Sequence, residues 1–220
     1  MKKNVYVSVS TDPLKSYEEI VQYAKFMQNK ADFLHCDIMD GKFVEKTTYD
    51  YALLKNINAN SLIPLDVHLM VSEPFKDIKN YLDAGANIVT VHYEAFENKE
   101  DIVKGVKLIK FNKALAGISL KPETPFKDIK PYCYNVDVVL VMSVDPGASG
   151  QKFLTIAYEK IKEIDQFRRD NGLNFKIEVD GGVTPENAKK LVELGVDMIV
   201  SGSFVYKSED KLKAIESLKG

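Results

Sequence analysis

Short apolar, β-branched runs recur along the chain at near-regular intervals: Val5 to Ser10, Phe33 to Met39, Ile63 to Met70, Ile88 to His92, Leu115 to Leu120, Val136 to Met142, Phe175 to Asp180 and Met198 to Ser201. Runs of this length, rich in valine and isoleucine, read as buried strands. Between them apolar residues return at helical spacing, as at Tyr17, Ile20, Val21, Ala24 and Met27, or at Leu191, Leu194 and Val196. Strand and helix therefore alternate. The pattern is weakest between Phe43 and Ile63, where Asn56, Asn58 and Asn60 interrupt it, and after Thr124, where the helical stretch is short.

Regular βα alternation implies parallel strands joined by right-handed crossovers. Eight such units in 220 residues fit a closed (β/α)8 TIM barrel, an α/β fold, as a single catalytic domain over 1–220. A doubly wound sheet is the runner-up, but no strand is followed by the G-x-G-x-x-G turn that marks its nucleotide site. No linker-like stretch divides the chain.

In such a barrel, chemistry belongs at the C-terminal strand ends, where residues two apart share a face. The second run ends with His35, Asp37 and Met39 on one face, the third with Asp66, His68 and Met70, and the seventh with Glu178 and Asp180. His35, Asp37, His68 and Asp180 supply two imidazoles and two carboxylates. That set suits one borderline divalent ion: zinc first, with manganese, cobalt or iron(II) as alternatives. Asp66 and Glu178 read as groups that orient the histidines, or as ligands themselves. Met39, Met70 and Met142 end strands and serve either as core filling or as a polarizable collar around a charged intermediate. His92 and Glu94 end the fourth run and receive no catalytic role.

Gly147 to Gly150, Gly181-Gly182 and Gly202-Ser203 all follow strands, and glycine lets backbone N–H groups approach an oxyanion, so a phosphate is expected there. Composition narrows the partners further. Thirty basic against thirty-two acidic residues leave a net charge of -2, which lacks the basic stripe that nucleic acid or an anionic membrane requires. The chain is 45% hydrophobic and 28% charged, as a globular domain should be. Its two cysteines, Cys36 and Cys133, form no metal or disulfide pattern; Cys36 is expected to be an inert thiol facing outward into the core. The N-terminal apolar stretch is short, broken by Ser8 and Ser10, and does not fit a signal peptide; no apolar run is long enough for a membrane span. A cytoplasmic protein acting on a small molecule is the expectation, with homo-oligomerisation through outer helices left open.

The segments His35-Cys36-Asp37-Ile38-Met39-Asp40-Gly41-Lys42-Phe43-Val44, Asp66-Val67-His68-Leu69-Met70 and Val179-Asp180-Gly181-Gly182 resemble the motifs of ribulose-phosphate 3-epimerases. Val141 to Gly147, Gly150 to Phe153 and Ser201-Gly202-Ser203 resemble further signatures of that family, in its order. The resemblance implies interconversion of D-ribulose 5-phosphate and D-xylulose 5-phosphate through a metal-stabilised enediolate, in the non-oxidative pentose phosphate pathway. It makes His35, Asp37, His68 and Asp180 the metal ligands and Asp37 and Asp180 the acid/base pair. It sets Ser8, His68, Met39, Met70, Met142, Gly147, Ala148, Ser149, Gly150, Gly181, Gly182, Gly202 and Ser203 against the ketose phosphate.

The chain departs from the family pattern in three places. Tyr6 to Asp12 replaces the usual Pro-Ser start, so either Ser8 or Ser10 takes the substrate serine's place. Glu45-Lys46 stands for Pro-Asn, and Gly147-Ala148-Ser149-Gly150 for Gly-Phe-Gly-Gly. Asp145 keeps open a 3-epimerase of a six-carbon ketose phosphate such as D-allulose 6-phosphate. A decarboxylase of the related barrel type lacks support, because its Asp-x-Lys-x-x-Asp strand is replaced by Asp66 to Met70. A non-catalytic sugar-phosphate-binding barrel would bind without exchanging the C3 proton.

Overall fold

In the computed structural model, which describes residues 4–147 and 150–219, eight parallel strands close on themselves in the order β1 to β8. They are β1 (Tyr6–Ser10), β2 (Phe33–Met39), β3 (Leu65–Met70), β4 (Ala86–His92), β5 (Leu115–Leu120), β6 (Val138–Met142), β7 (Lys176–Asp180) and β8 (Met198–Ser201). Each falls within, or within two residues of, a run that the apolar pattern marks. β1 pairs with β8, for example Val7 with Ile199, and this closes the barrel.

The helices are α1 (Tyr17–Met27), α2 (Tyr51–Asn60), α3 (Pro74–Asp83), α4 (Glu100–Phe111), α5 (Ile156–Asp170), α6 (Pro185–Glu193), α7 (Ser203–Lys207) and α8 (Lys211–Ser217). Local chemistry sets their ends. Ser16 caps α1 by accepting from the Glu19 N–H, with Glu18 and Glu19 in the first turn and Lys25 in the last, as the helix dipole favours. Asp50 caps α2 in the same way, accepting from Ala52, and the asparagines that obscure this helix lie within it or end it. Between β5 and β6 the short helical stretch resolves into two single 3-10 turns, Phe126–Asp128 and Lys130–Tyr132.

The main core is the ring between barrel and helices, where the outward residues of each strand meet buried helix faces: Leu34, Cys36 and Ile38 of β2 join Leu53, Leu54 and Ile57 of α2. Cys36 sits there with its thiol pushed up to about 12, chiefly by burial. Inside the barrel the lining is graded. Ile88, Val138 and Met198, with Tyr6 and Phe33, fill the N-terminal end. Above them stand buried polar groups, Ser8, His35, Asp66, Thr90, Ser119 and Glu178. Gly117 belongs to this level because a Cβ there would collide with the side chain of Thr90 on the neighbouring strand.

Candidate active site

Strand register brings the predicted ligands together. β2 and β3 pair so that His35 lies beside Asp66, Asp37 beside His68, and Met39 beside Met70. Because side chains alternate along a strand, all six point into the barrel. Asp180 ends β7 and pairs with Met142 of β6. It joins the same cluster: one ligand atom from each of His35, Asp37, His68 and Asp180 lies within 4.8 Å of all the others.

The donors are arranged as a cation would need them. His35 directs Nδ1 at Asp66 Oδ2, 2.6 Å away, so its Nε2 faces Asp37 Oδ1 at 3.3 Å and Asp180 Oδ2 at 4.0 Å. That Nε2 is fully buried and makes no hydrogen bond. His68 presents Nδ1 to Asp37 Oδ1 at 3.0 Å. Two ring nitrogens thus converge with two carboxylates on one point, a set that fits a borderline divalent ion. Asp66 holds its place through Ser8, whose hydroxyl donates to Oδ2 at 2.8 Å. It orients His35 from behind.

Electrostatics separate the two carboxylates at the point of convergence. Burial opposes ionisation of Asp37, but the neighbouring imidazoles, the His35 charge first, prevail and hold it well below the usual carboxylate range. Asp180 is pushed up to about 6, by burial first and by the Asp37 charge second. Burial works against protonation of His35, yet Asp66 and Asp37 raise it well above an ordinary histidine. Beneath them Glu178 is driven well up by burial and by the neighbouring Asp66 charge.

The cleft at the C-terminal end of the barrel is lined by Ser10, Asp37, Met39, Met70, Met142, Gly147, Gly150, Asp180, Gly181, Gly182, Gly202 and Ser203, among others. The methionines are buried, with 5%, 1% and 2% exposure at Met39, Met70 and Met142, so they close its walls against water. Of the two candidate serines, Ser8 lies a layer deeper, bound to Asp66, because residues two apart on β1 share a face but not a depth. Ser10 reaches the cleft and donates to Asp37 Oδ2 at 3.3 Å. Ala148 and Ser149 lie outside the described residues. The altered stretch after Val44 ties down the mouth through an ion pair of Lys46 with Asp12.

His92 and Glu94, given no role from sequence, extend the cluster. His68 Nε2 lies 2.9 Å from His92 Nε2, and His92 Nδ1 lies 3.0 Å from Glu94 Oε2. Burial above all lowers His92 to about 4. Glu94, though burial opposes it, is held near about 2, first by its hydrogen bond with His92. The i, i+2 spacing of His92 and Glu94 was the available signal, although only His92 ends β4 and Glu94 falls in the 3-10 turn Tyr93–Ala95 that follows, not in the strand the sequence pattern gave it.

The profile of the Ribulose-phosphate 3 epimerase family matches residues 5–206. The chain is 40% identical over 188 residues to the chloroplastic ribulose-5-phosphate-3-epimerase of Arabidopsis thaliana, a match covering 86% of this chain and 66% of that protein. It is 39% identical over 191 residues to the ribulose-phosphate 3-epimerase of Bacillus subtilis, covering 86% and 87%. Among solved structures, a thiamine phosphate pyrophosphorylase of Pyrococcus furiosus superposes with a TM-score of 0.61 at 20% identity, over 99% of this chain and 94% of that one. A tryptophan synthase α-subunit from the same organism gives 0.65 at 17%, over 100% and 96%. At that identity these two share the barrel fold alone.

Proposed function

The chain belongs to the ribulose-phosphate 3-epimerase family, and from that premise we propose that Asp37 and Asp180 carry the C3 proton between D-ribulose 5-phosphate and D-xylulose 5-phosphate. One observation supports this most: two carboxyl groups of opposed acidity, buried Asp37 and half-buried Asp180, from strands separated by β1 and β8, converge on one cleft. A single base that takes and returns a proton on one side retains configuration, so inversion needs a second group on the other side. One carboxylate removes the proton and the other carboxylic acid delivers one. Turnover therefore requires the pair to hold one proton between them.

His35, Asp37, His68 and Asp180 would hold a divalent cation, and when bound it supplies positive charge beside the substrate oxygens that become anionic as the proton leaves. Zinc is our choice among the borderline ions, on donor chemistry. The protein's own groups do the rest. The Ser10 hydroxyl orients the Asp37 carboxylate. Met39, Met70 and Met142 border the reacting carbon without offering it a proton or a water. We assign the phosphate to backbone N–H groups of Gly147, Gly150, Gly181, Gly182, Gly202 and Ser203, which line the same cleft. A cytoplasmic protein acting on a free sugar phosphate completes the reading; among the described residues no helix is long and apolar enough to cross a membrane.

NMR of D-ribulose 5-phosphate with the protein in D2O tests this. Deuterium should enter at C3 as xylulose 5-phosphate forms, and a chelator should stop both. Asp37→Asn and Asp180→Asn should each lower turnover by about 10²- to 10⁴-fold, the usual contribution of a positioned acid or base. Binding of the sugar phosphate without exchange would leave a silent binding barrel. Exchange confined to D-allulose 6-phosphate would move the substrate to the six-carbon ketose.

A further inference from the structure

The chain has three histidines, and all three lie in one line of contacts running from the cation site to Glu94. We infer that His92 and Glu94 are positioning residues, which set the direction of hydrogen bonding through His68 so that its Nδ1 lone pair, not an N–H, faces the cation site. The inference rests on the proposed metal role of His68 and adds two residues to the machinery that serves it.

Two imidazole nitrogens 2.9 Å apart, both fully buried, share one proton. With both rings neutral, as a cation held at His68 Nδ1 requires, two arrangements satisfy them. In one, His68 Nε2–H donates to His92 Nε2 and His92 Nδ1–H donates to Glu94, leaving a lone pair on His68 Nδ1. In the other every bond is reversed, and His68 Nδ1–H donates to Asp37 Oδ1, 3.0 Å away. That reversed form puts a proton where a cation must sit.

Glu94 decides between them. An ionised carboxylate only accepts, so the His92 nitrogen 3.0 Å from Oε2 must carry the hydrogen. The other oxygen is already committed, accepting from the Lys121 N–H at 2.8 Å and from the Thr124 hydroxyl. The carboxylate therefore cannot turn away without stranding two donors. The Phe43 ring lies against the His92 ring, with centroids 4.9 Å apart, and keeps solvent from offering an alternative partner. Outer groups that fix a ligand's tautomer in this way commonly change metal affinity by about 10- to 100-fold when removed.

Glu94→Gln is the decisive variant because it preserves shape and inverts the donor pattern. Its amide oxygen is retained by Lys121 and Thr124, so its NH2 group faces His92 Nδ1 and demands a lone pair there. The whole line then reverses. Zinc affinity, measured by competition with a chromogenic chelator, should fall by at least tenfold, while the urea midpoint of the metal-free variant stays close to that of the parent. Two-bond 1H–15N correlation spectra of the metal-free proteins, with only three imidazoles to assign, supply a readout that needs no variant. They should show His92 protonated at Nδ1 in the parent and at Nε2 in Glu94→Gln. A parent protein with His92 protonated at Nε2, or a variant that binds zinc within twofold of the parent, overturns the inference while leaving the metal site standing. A parent that binds no zinc overturns the metal reading and this inference with it.

Discussion

Burial first, and the charge of Asp37 beside it second, make Asp180 resist ionisation in the metal-free protein, its pKa pushed up to about 6. The sign of the effect on stability follows. In the unfolded chain Asp180 loses its proton near the ordinary aspartate value of about 4, whereas in the folded protein it keeps it until about pH 6. Between these limits the native state binds the extra proton, so this residue makes folding less favourable as pH rises, and the penalty is constant above the window. Asp180→Asn removes it. The metal-free variant should therefore gain on the metal-free parent between pH 5 and pH 7.5, by on the order of 1 kcal/mol in urea titrations. An identical free-energy gap at both pH values would sink the idea. At this scale the sequence was informative where two residues share one strand face, as His35 with Asp37 do. It was silent on depth, which separates Ser10 from Ser8, and on contacts across strands, which join His92 of β4 to His68 of β3.

Among elements, the connection from β5 to β6 is exceptional in having no α-helix, only two 3-10 turns. A lysine of the next helix steadies it. Lys160 of α5 is buried and donates to the carbonyls of Lys121, Pro122 and Thr124 at 2.8, 2.8 and 2.7 Å. Three acceptors that no regular ladder engages thus find one charged donor, and the same loop presents Lys121 N–H and the Thr124 hydroxyl to Glu94. Lys160→Met keeps most of the packing and strands the Pro122 and Thr124 carbonyls, the Lys121 carbonyl keeping the Thr124 N–H, so it should destabilise the protein by roughly 2–3 kcal/mol, seen as a lower urea midpoint. A midpoint unchanged within error would show that water serves these carbonyls equally well. The strands were legible because each is buried on both faces and reads as a β-branched run. Helices were less so, since α2 has only Leu53, Leu54 and Ile57 as its apolar face among asparagines and starts at the Asp50 cap, while this connection is held by a distant lysine.

Across the whole molecule the barrel interior changes from apolar at the N-terminal end to charged at the other. Apolar side chains close the bottom, and above them a buried group of imidazoles and carboxylates occupies space that hydrocarbon would fill at less cost. Every strand that contributes to this group is hydrogen-bonded into one closed sheet, so a ligand that neutralises the charges stabilises the sheet as a unit. If zinc binds the native site and not the unfolded chain, a free concentration about 100 times the dissociation constant adds about 2.7 kcal/mol. For a domain of this size each kcal/mol raises the melting temperature by about 2–4 °C, so thermal melts should shift upward by roughly 5–10 °C relative to protein in chelator. His35→Asn separates the site from casual surface binding, because it takes away the Nε2 that lies unpaired among the carboxylates while leaving the barrel's apolar end intact. Its melting temperature should respond little to zinc. A shift as large as the parent's would mean that the stabilising ion sits elsewhere, and that the converging donors at the barrel mouth are held together by hydrogen bonds alone.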